Sequence, residues 1–273
     1  MNWGIFLRNF LKYLRFCNEG GVINLSTSQV NYSEILKGKK IIITGGSDGI
    51  GLAMAKKFVK EGAKVVITGR NMDKLNRASK MINSNNLYLV KWDISDLSVL
   101  EDNMNKSISL LGGVDFFINN AAFLSHFDTN VIFFDKTINT NLKAIYYTCD
   151  FVAKYIVEHN NGAVGKIINI SSINAYQSSI HPYYISKSGV ESITRGFAKE
   201  YANKNVIVNG IAPGYCASSI NKVNVEKNAI DYRSKNRRII IPEEIAEIAT
   251  FLLSDAANGI IGQIIICDGG ALL

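Results

Sequence analysis

From Lys40 onward, short runs of β-branched apolar residues alternate with longer stretches whose apolar positions recur at helical spacing. The runs predict strands at Lys40–Thr44, Lys64–Thr68, Leu87–Lys91, Phe116–Asn119, Lys166–Ile170, Val206–Ile211 and Ile264–Cys267. Between them lie helix-length segments, among them Gly49–Glu61, Leu97–Leu110, Asn130–Glu158, Tyr183–Ala202 and Pro242–Leu253. The last opens on Pro242-Glu243-Glu244, good chemistry for a helix N-terminus. Ile41-Ile42-Ile43 and Ile264-Ile265-Ile266 are apolar without a break, as suits strands of a parallel sheet covered on both faces. Repeated β-α units then give an α/β fold, a doubly wound seven-stranded parallel sheet in a three-layer α/β/α sandwich. Ligands of such sheets bind beyond the carboxyl ends of the strands.

Residues 1–36 break the pattern and are read as an extension, leaving 37–273 as a single domain. On a helical wheel Trp3, Phe6, Leu7, Phe10, Leu11, Tyr13 and Leu14 share one face, while Arg8, Asn9, Lys12 and Arg15 share the other. A secretory signal is not expected, because Arg8 interrupts the apolar run and no charged segment precedes it. Two readings stand: a helix packed on the body or on a neighbouring subunit, or residues 1–16 touching a membrane surface.

With 273 residues the chain has room for one large α/β domain. Cys17, Cys149, Cys216 and Cys267 are scattered without C-x-x-C spacing, which argues against a disulfide framework or a zinc site and fits a reducing cytoplasm. His126, His159 and His181 lack the clustered carboxylates of a metal site. No apolar run approaches the roughly 20 residues that cross a bilayer. The net charge of +7 is concentrated: residues 1–40 and 215–241 each hold six basic residues against two acidic ones. With no nucleic-acid-reading motif beside it, that charge does not suggest a nucleic-acid partner.

Thr44-Gly45-Gly46-Ser47-Asp48-Gly49-Ile50-Gly51 joins the first strand to the first long helix. Glycines there permit close backbone approach, and a helix N-terminus offers free N–H groups to a pyrophosphate. The spacing is G-x-x-x-G-x-G rather than the commoner G-x-G-x-x-G.

That loop is one of five separated signatures in which the chain resembles the short-chain dehydrogenase/reductases over about residues 38–273. The others are Asn119-Asn120-Ala121-Ala122, Ser171-Ser172, Tyr183-x-x-x-Lys187 and Pro213-Gly214, with Asn141 in a familiar Asn-Leu context and Asp268-Gly269-Gly270 near the end. Ala122 stands where the family usually has glycine, and the interval from Ser172 to Tyr183 is shorter than usual. The resemblance implies a Rossmann fold, a soluble nicotinamide-dependent oxidoreductase acting on a small-molecule carbonyl or alcohol, and a homo-oligomer, dimer or tetramer.

Tyr183 and Lys187 are i and i+4, so on a helix they share a face. A free tyrosine titrates near pH 10, and a nearby ammonium together with an oxidised nicotinamide would favour the phenolate. The resemblance makes Tyr183 the acid/base and has Lys187 hold the nicotinamide ribose as well. It has Ser172 polarise the substrate carbonyl and Asn141 hold a relay water. It also gives Gly45, Ser47, Asp48, Gly49, Ile50 and Gly51 to the pyrophosphate turn and Asp93-Ile94 to the adenine. Asn120, Ala121, Pro213, Gly214 and Ser218 complete the cofactor contacts. Asp93 has a second reading as cap of the helix beginning near Leu97, and Ser172 as an ordinary cap. His181 reads either as pocket lining or as a solvated loop residue.

A carboxylate ~20 residues past the glycine loop would favour NAD. Gly69 occupies that place, and Arg70 beside it suits a 2′-phosphate, so NADP is expected, with NAD the alternative. Asp48 stands where NADP-preferring relatives often carry a basic residue. Segment 215–241 falls at the family's substrate lid, and its Lys/Arg excess suggests an anionic substrate unless it is merely a solvated surface. The chain resembles 3-oxoacyl-carrier-protein reductases, and Lys204 matches a basic position of theirs, but Asn160–Ala163 lacks their second basic contact. A sugar or polyol dehydrogenase is the alternative, and a non-catalytic nucleotide-binding scaffold a more distant one.

Overall fold

The computed structural model describes residues 34–124, 130–217 and 229–273. The extension to residue 33, His126, Ser218 and the lid positions Lys222, Glu226 and Lys227 therefore lie outside the described residues.

Seven strands pair in one sheet, all parallel: β1 (Lys40–Ile43), β2 (Lys64–Gly69), β3 (Leu87–Lys91), β4 (Phe116–Asn119), β5 (Gly165–Ile170), β6 (Val206–Pro213) and β7 (Ile264–Cys267). Their order is β3-β2-β1-β4-β5-β6-β7, so the winding reverses between β1 and β4. A crevice opens at such a switch point because the connections leave in opposite directions. The main helices are α1 (Gly49–Lys60), α2 (Met72–Ile82), α3 (Leu100–Leu111), α4 (Val131–Ile138), α5 (Ala144–His159), α6 (Pro182–Tyr201) and α7 (Pro242–Leu253).

The three-isoleucine run of β1 shows how the layers form. Ile41 and Ile43 join Met54 and Phe58 of α1 and Ile245 and Leu252 of α7 on one face. Ile42 joins Met104 and Ile108 of α3, Val152 of α5 and Val190 of α6 on the other. All three isoleucines are fully buried, which contributes roughly 1.5–3 kcal/mol apiece.

Three boundaries differ from the sequence expectation. The single helix expected over 130–158 is two helices joined by a π-turn at Asn139–Lys143, where Ala144 N–H reaches back to the Asn139 carbonyl. The segment expected from Leu97 begins as a 3₁₀ turn, Leu97–Val99, before α3. Its cap is Asp96, whose carboxylate accepts from Ser98 N–H, and not Asp93, whose carboxylate is taken by Ser95. Helix propensity continues through each break; only the packing against neighbours chooses the tighter or wider turn.

Candidate active site

Along the carboxyl edge of the sheet runs a cleft of about 1000 Å³ that reaches from β3 to β6. At the switch point Thr44, just past β1, accepts at its Oγ1 from Asn120 N–H (3.0 Å) and Ala121 N–H (3.1 Å). Asn120 returns its amide to the carbonyls of Thr44 (2.9 Å) and Gly45 (3.0 Å). The glycine turn is thereby tied to the loop after β4, and the packing leaves no room for side chains. A Cβ on Gly51 would lie 2.4 Å from the Gly45 oxygen, and one on Gly45 would lie 2.9 Å from Ala121 Cα. Gly45 and Gly49 also hold positive φ, +67° and +51°. Asp48 caps α1 by accepting from Gly49 N–H at 2.7 Å, so it takes up one of the amides at that helix end. Ala122 is not among the residues with positive φ, which is why a methyl group is accommodated there.

The cleft continues to the ends of β2 and β3, where Arg70, Asn71, Lys74, Trp92, Asp93 and Ile94 line it. Arg70 and the first turn of α2 bring two exposed cations to one place. Lys74 went unnoticed in the sequence, although its spacing of four from Arg70 is the available signal.

At the other end, α6 begins with His181 as cap and Pro182 in its first turn. His181 is neither a solvated loop residue nor pocket lining alone: its Nδ1 accepts from Tyr183 N–H at 3.1 Å, and the ring also lines the cleft. The cap fixes the first turn of α6 and with it the phenol of Tyr183, which shares the cleft wall with the Ser172 side chain. Ser172 also caps the short turn after β5, accepting from Asn174 N–H at 3.2 Å. One turn along α6, Lys187 is buried, donates to the Ile170 carbonyl at 2.7 Å and lies 5.6 Å from the centre of the Tyr183 ring.

Burial sets the protonation of this pair in the protein alone. It pushes the Tyr183 phenol up to about 12, with the Ser172 side chain opposing, and lowers the Lys187 ammonium to about 8. The expected acidity of the phenol joins the ammonium to an oxidised nicotinamide; in the protein alone, desolvation of the hydroxyl prevails.

Most residues singled out in the sequence line this one cleft: Gly45, Ser47, Asp48, Gly49, Ile50, Arg70, Asp93, Ile94, Asn120, Ala121, Ser172, Tyr183, Lys187, Pro213 and Gly214. Gly51 stands behind it, where its lack of a side chain matters. Asn141 is fully buried in the π-turn and does not reach the cleft wall. Its amide oxygen accepts from Phe123 N–H (2.7 Å), and its NH₂ donates to the Phe123 carbonyl (2.8 Å) and to Ser186 Oγ (3.3 Å). The lining residues that sequence reasoning missed include Thr140, Asn174, Gln177 and Tyr215, while Asp231 and Arg233 entered it only as part of the charge of segment 215–241. Among the described residues no helix is long and apolar enough to cross a membrane, and no group of three His, Cys, Asp or Glu could hold a metal ion.

The family model described as enoyl-(acyl carrier protein) reductase matches residues 45–271. Member 4 of the dehydrogenase/reductase SDR family from Oryctolagus cuniculus is 31% identical over 90% of this chain and 98% of its own. The gluconate 5-dehydrogenase of Gluconobacter oxydans is 30% identical over 86% and 95%. The 3-oxoacyl-[acyl-carrier-protein] reductase of Chlamydia trachomatis is 32% identical over 87% and 99%. Among solved structures, the 3-ketoacyl-(acyl-carrier-protein) reductase of Brucella melitensis complexed with NADH superposes with a TM-score of 0.79 at 28% identity, over 87% of this chain and all of that one. The chain belongs to the short-chain dehydrogenase/reductase family of NAD(P)-dependent oxidoreductases acting on CH–OH and C=O groups.

Proposed function

We propose that the protein reduces a small carbonyl compound to a secondary alcohol with NADPH, or runs the reverse, with Tyr183 as general acid/base. One observation carries the reading: Ser172, Tyr183 and Lys187 meet at one end of a cleft whose middle is a glycine turn over a helix N-terminus.

The chain's residues fit a dinucleotide. The side-chain-free surface at Gly45 and the N–H groups at the start of α1 suit a pyrophosphate. Arg70 and Lys74, exposed at the far end with no side-chain partner among the described residues, suit a 2′-phosphate and favour NADP over NAD. Asp93 and Ile94 flank the adenine, and Asn120, Ala121, Pro213, Gly214 and Ser218 complete the contacts. The nicotinamide supplies or accepts the hydride.

Ser172 hydrogen-bonds the substrate oxygen and stabilises charge developing there. Tyr183 gives its proton to that oxygen in reduction and takes it back in oxidation. Lys187 holds the nicotinamide ribose and, when protonated, favours the phenolate. With burial pushing the phenol the other way, the ionised form depends on the positive charge of the oxidised cofactor as well. Asn141, whose side-chain amide is committed to Phe123 and Ser186, takes the relay-water role behind Lys187 that the family resemblance implies.

We further read residues 37–273 as one domain with its substrate lid at about 215–241, and the assembly as a dimer or tetramer in the cytoplasm. Exposed Tyr146 and Tyr147 on α5, beside Phe197 of α6, offer an apolar face for subunit contact. The gluconate 5-dehydrogenase relative supports a sugar or polyol as the second substrate reading. A panel of keto esters, keto acids and ketoses assayed by loss of NADPH absorbance tests both. No turnover of any member, with no binding of either pyridine nucleotide, would end the proposal.

A further inference from the structure

We infer that Arg233 anchors a carboxylate or phosphate group carried by the substrate. The inference rests on the oxidoreductase reading and extends it to the charge class of the substrate.

The basic excess of segment 215–241 divides into separate fates once the chain is folded. Arg238 commits its guanidinium to both oxygens of Glu244, at 2.8 and 2.5 Å, and to the Ile239 carbonyl. Lys235 and Arg237 do not reach the cleft wall. Among the described basic residues of the segment, Arg233 alone lines the cleft.

Arg233 is also held as an anion receptor would be. Its Cζ lies 3.8 Å from the centre of the Tyr215 ring, so the guanidinium stacks on that face. Its Nε donates to Asp231 Oδ1 at 2.7 Å, and its own backbone N–H reaches the same oxygen at 3.1 Å. Asp231 is buried, and the Ile230–Arg238 bridge holds the turn that carries both residues. Face and inner edge are thus fixed, while Nη1 and Nη2 make no hydrogen bond to any described residue. That free edge is the fork that meets an oxyanion bidentately, with little rotamer entropy left to lose.

The position suits the substrate rather than the 2′-phosphate. Tyr215 follows Pro213-Gly214 at the end of β6, next to β5 and Ser172. Arg70, at the end of β2, is four strand spacings away, about 19 Å. The other carboxylates on the cleft wall, Asp48 and Asp93, lie toward that far side, and Asp231 is already engaged by Arg233. Stability does not account for the pair: the Arg233 side chain is 63% exposed, where an ion pair contributes at most about 1 kcal/mol.

The test compares matched pairs with NADPH: acetoacetate and methyl acetoacetate, 4-oxopentanoate and its methyl ester, dihydroxyacetone phosphate and dihydroxyacetone. The first two pairs report a carboxylate and the third a phosphate. The wild type is expected to favour the charged member of at least one pair. Arg233→Met should shrink that preference in kcat/KM about 10–100-fold, the range of a lost charge-assisted contact, with NADPH affinity held. Preference for the neutral member in every pair overturns the inference; so does an unchanged preference in the variant, or a loss of NADPH affinity in its place. A second arm needs no turnover: calorimetric titration of the cofactor-free chain with glutarate and with inorganic phosphate. Binding lost in Arg233→Met and kept in Arg70→Met supports the inference, and any other pattern, including no binding by the wild type, counts against it. If no carbonyl is reduced yet this arm succeeds, the oxidoreductase reading fails and the anion site stands.

Discussion

The Lys187 ammonium lies 5.6 Å from the centre of the Tyr183 ring, one helical turn away, and donates a hydrogen bond to the Ile170 carbonyl. The two groups are neighbours, yet burial drives each toward its neutral form, so the chain alone does not hold the phenol ionised.

Replacing Tyr183 with Phe removes only the hydroxyl. Turnover is expected to fall by about 10²–10⁴-fold, the usual worth of a positioned acid/base, while NADPH binding followed by cofactor fluorescence stays near wild type. Equal turnover by the variant refutes the assignment.

Ionisation of the phenol can be followed directly by tyrosinate absorbance, as wild type minus Tyr183→Phe. Without cofactor Tyr183 should contribute no phenolate below about pH 10, because its value is pushed up to about 12. Addition of NADP⁺ should move the onset to lower pH. An onset indifferent to NADP⁺ contradicts the proposed electrostatics.

Arg70→Asp should lower kcat/KM with NADPH relative to NADH by about 10–100-fold, since it removes a guanidinium and adds a charge that repels the 2′-phosphate. Lys74→Met should act in the same direction and more weakly. Unaltered preference in Arg70→Asp removes that residue from the site.

Gly51→Ala places a methyl group 2.4 Å from the Gly45 oxygen and 2.5 Å from Asn120 Nδ2. Backbone must move to relieve it, so a loss of about 1–3 kcal/mol in stability and of dinucleotide affinity is expected. Denaturant unfolding and cofactor titration would show it, and a variant matching wild type in both would contradict the packing described.

Lys166 is buried with its Nζ donating to the carbonyls of Leu252 (3.3 Å) and Ser254 (2.6 Å) at the end of α7, and burial lowers it from 10.5 to about 8. Between those values the unfolded chain holds more protons, so Lys166 adds stability as pH rises and loses it as pH falls through 8. Wild type should therefore gain on Lys166→Met in urea midpoint from pH 8 to 10.5. A constant difference would show that the ammonium is not destabilised in the fold.

Local patterns made the strands legible. Ile41-Ile42-Ile43 demands burial on both faces whatever surrounds it, and Val206–Ile211 repeats the demand. The π-turn at Asn139–Lys143 was not legible, because no residue in it breaks a helix and the wider turn comes from packing around Asn141. His181 shows the same limit. Its type gave no sign that it caps α6 and so positions Tyr183.

The sequence by itself determined what is local and repetitive: which segments are strands, that they are covered on both sides, and which short motifs sit between them. Tertiary structure alone decided what depends on distance and desolvation. It chose Arg233 from the basic residues of its segment and set the phenol and the ammonium at values neither has in water. Charge and hydrogen bonding act through space at a few ångströms, and sequence separation says little about either.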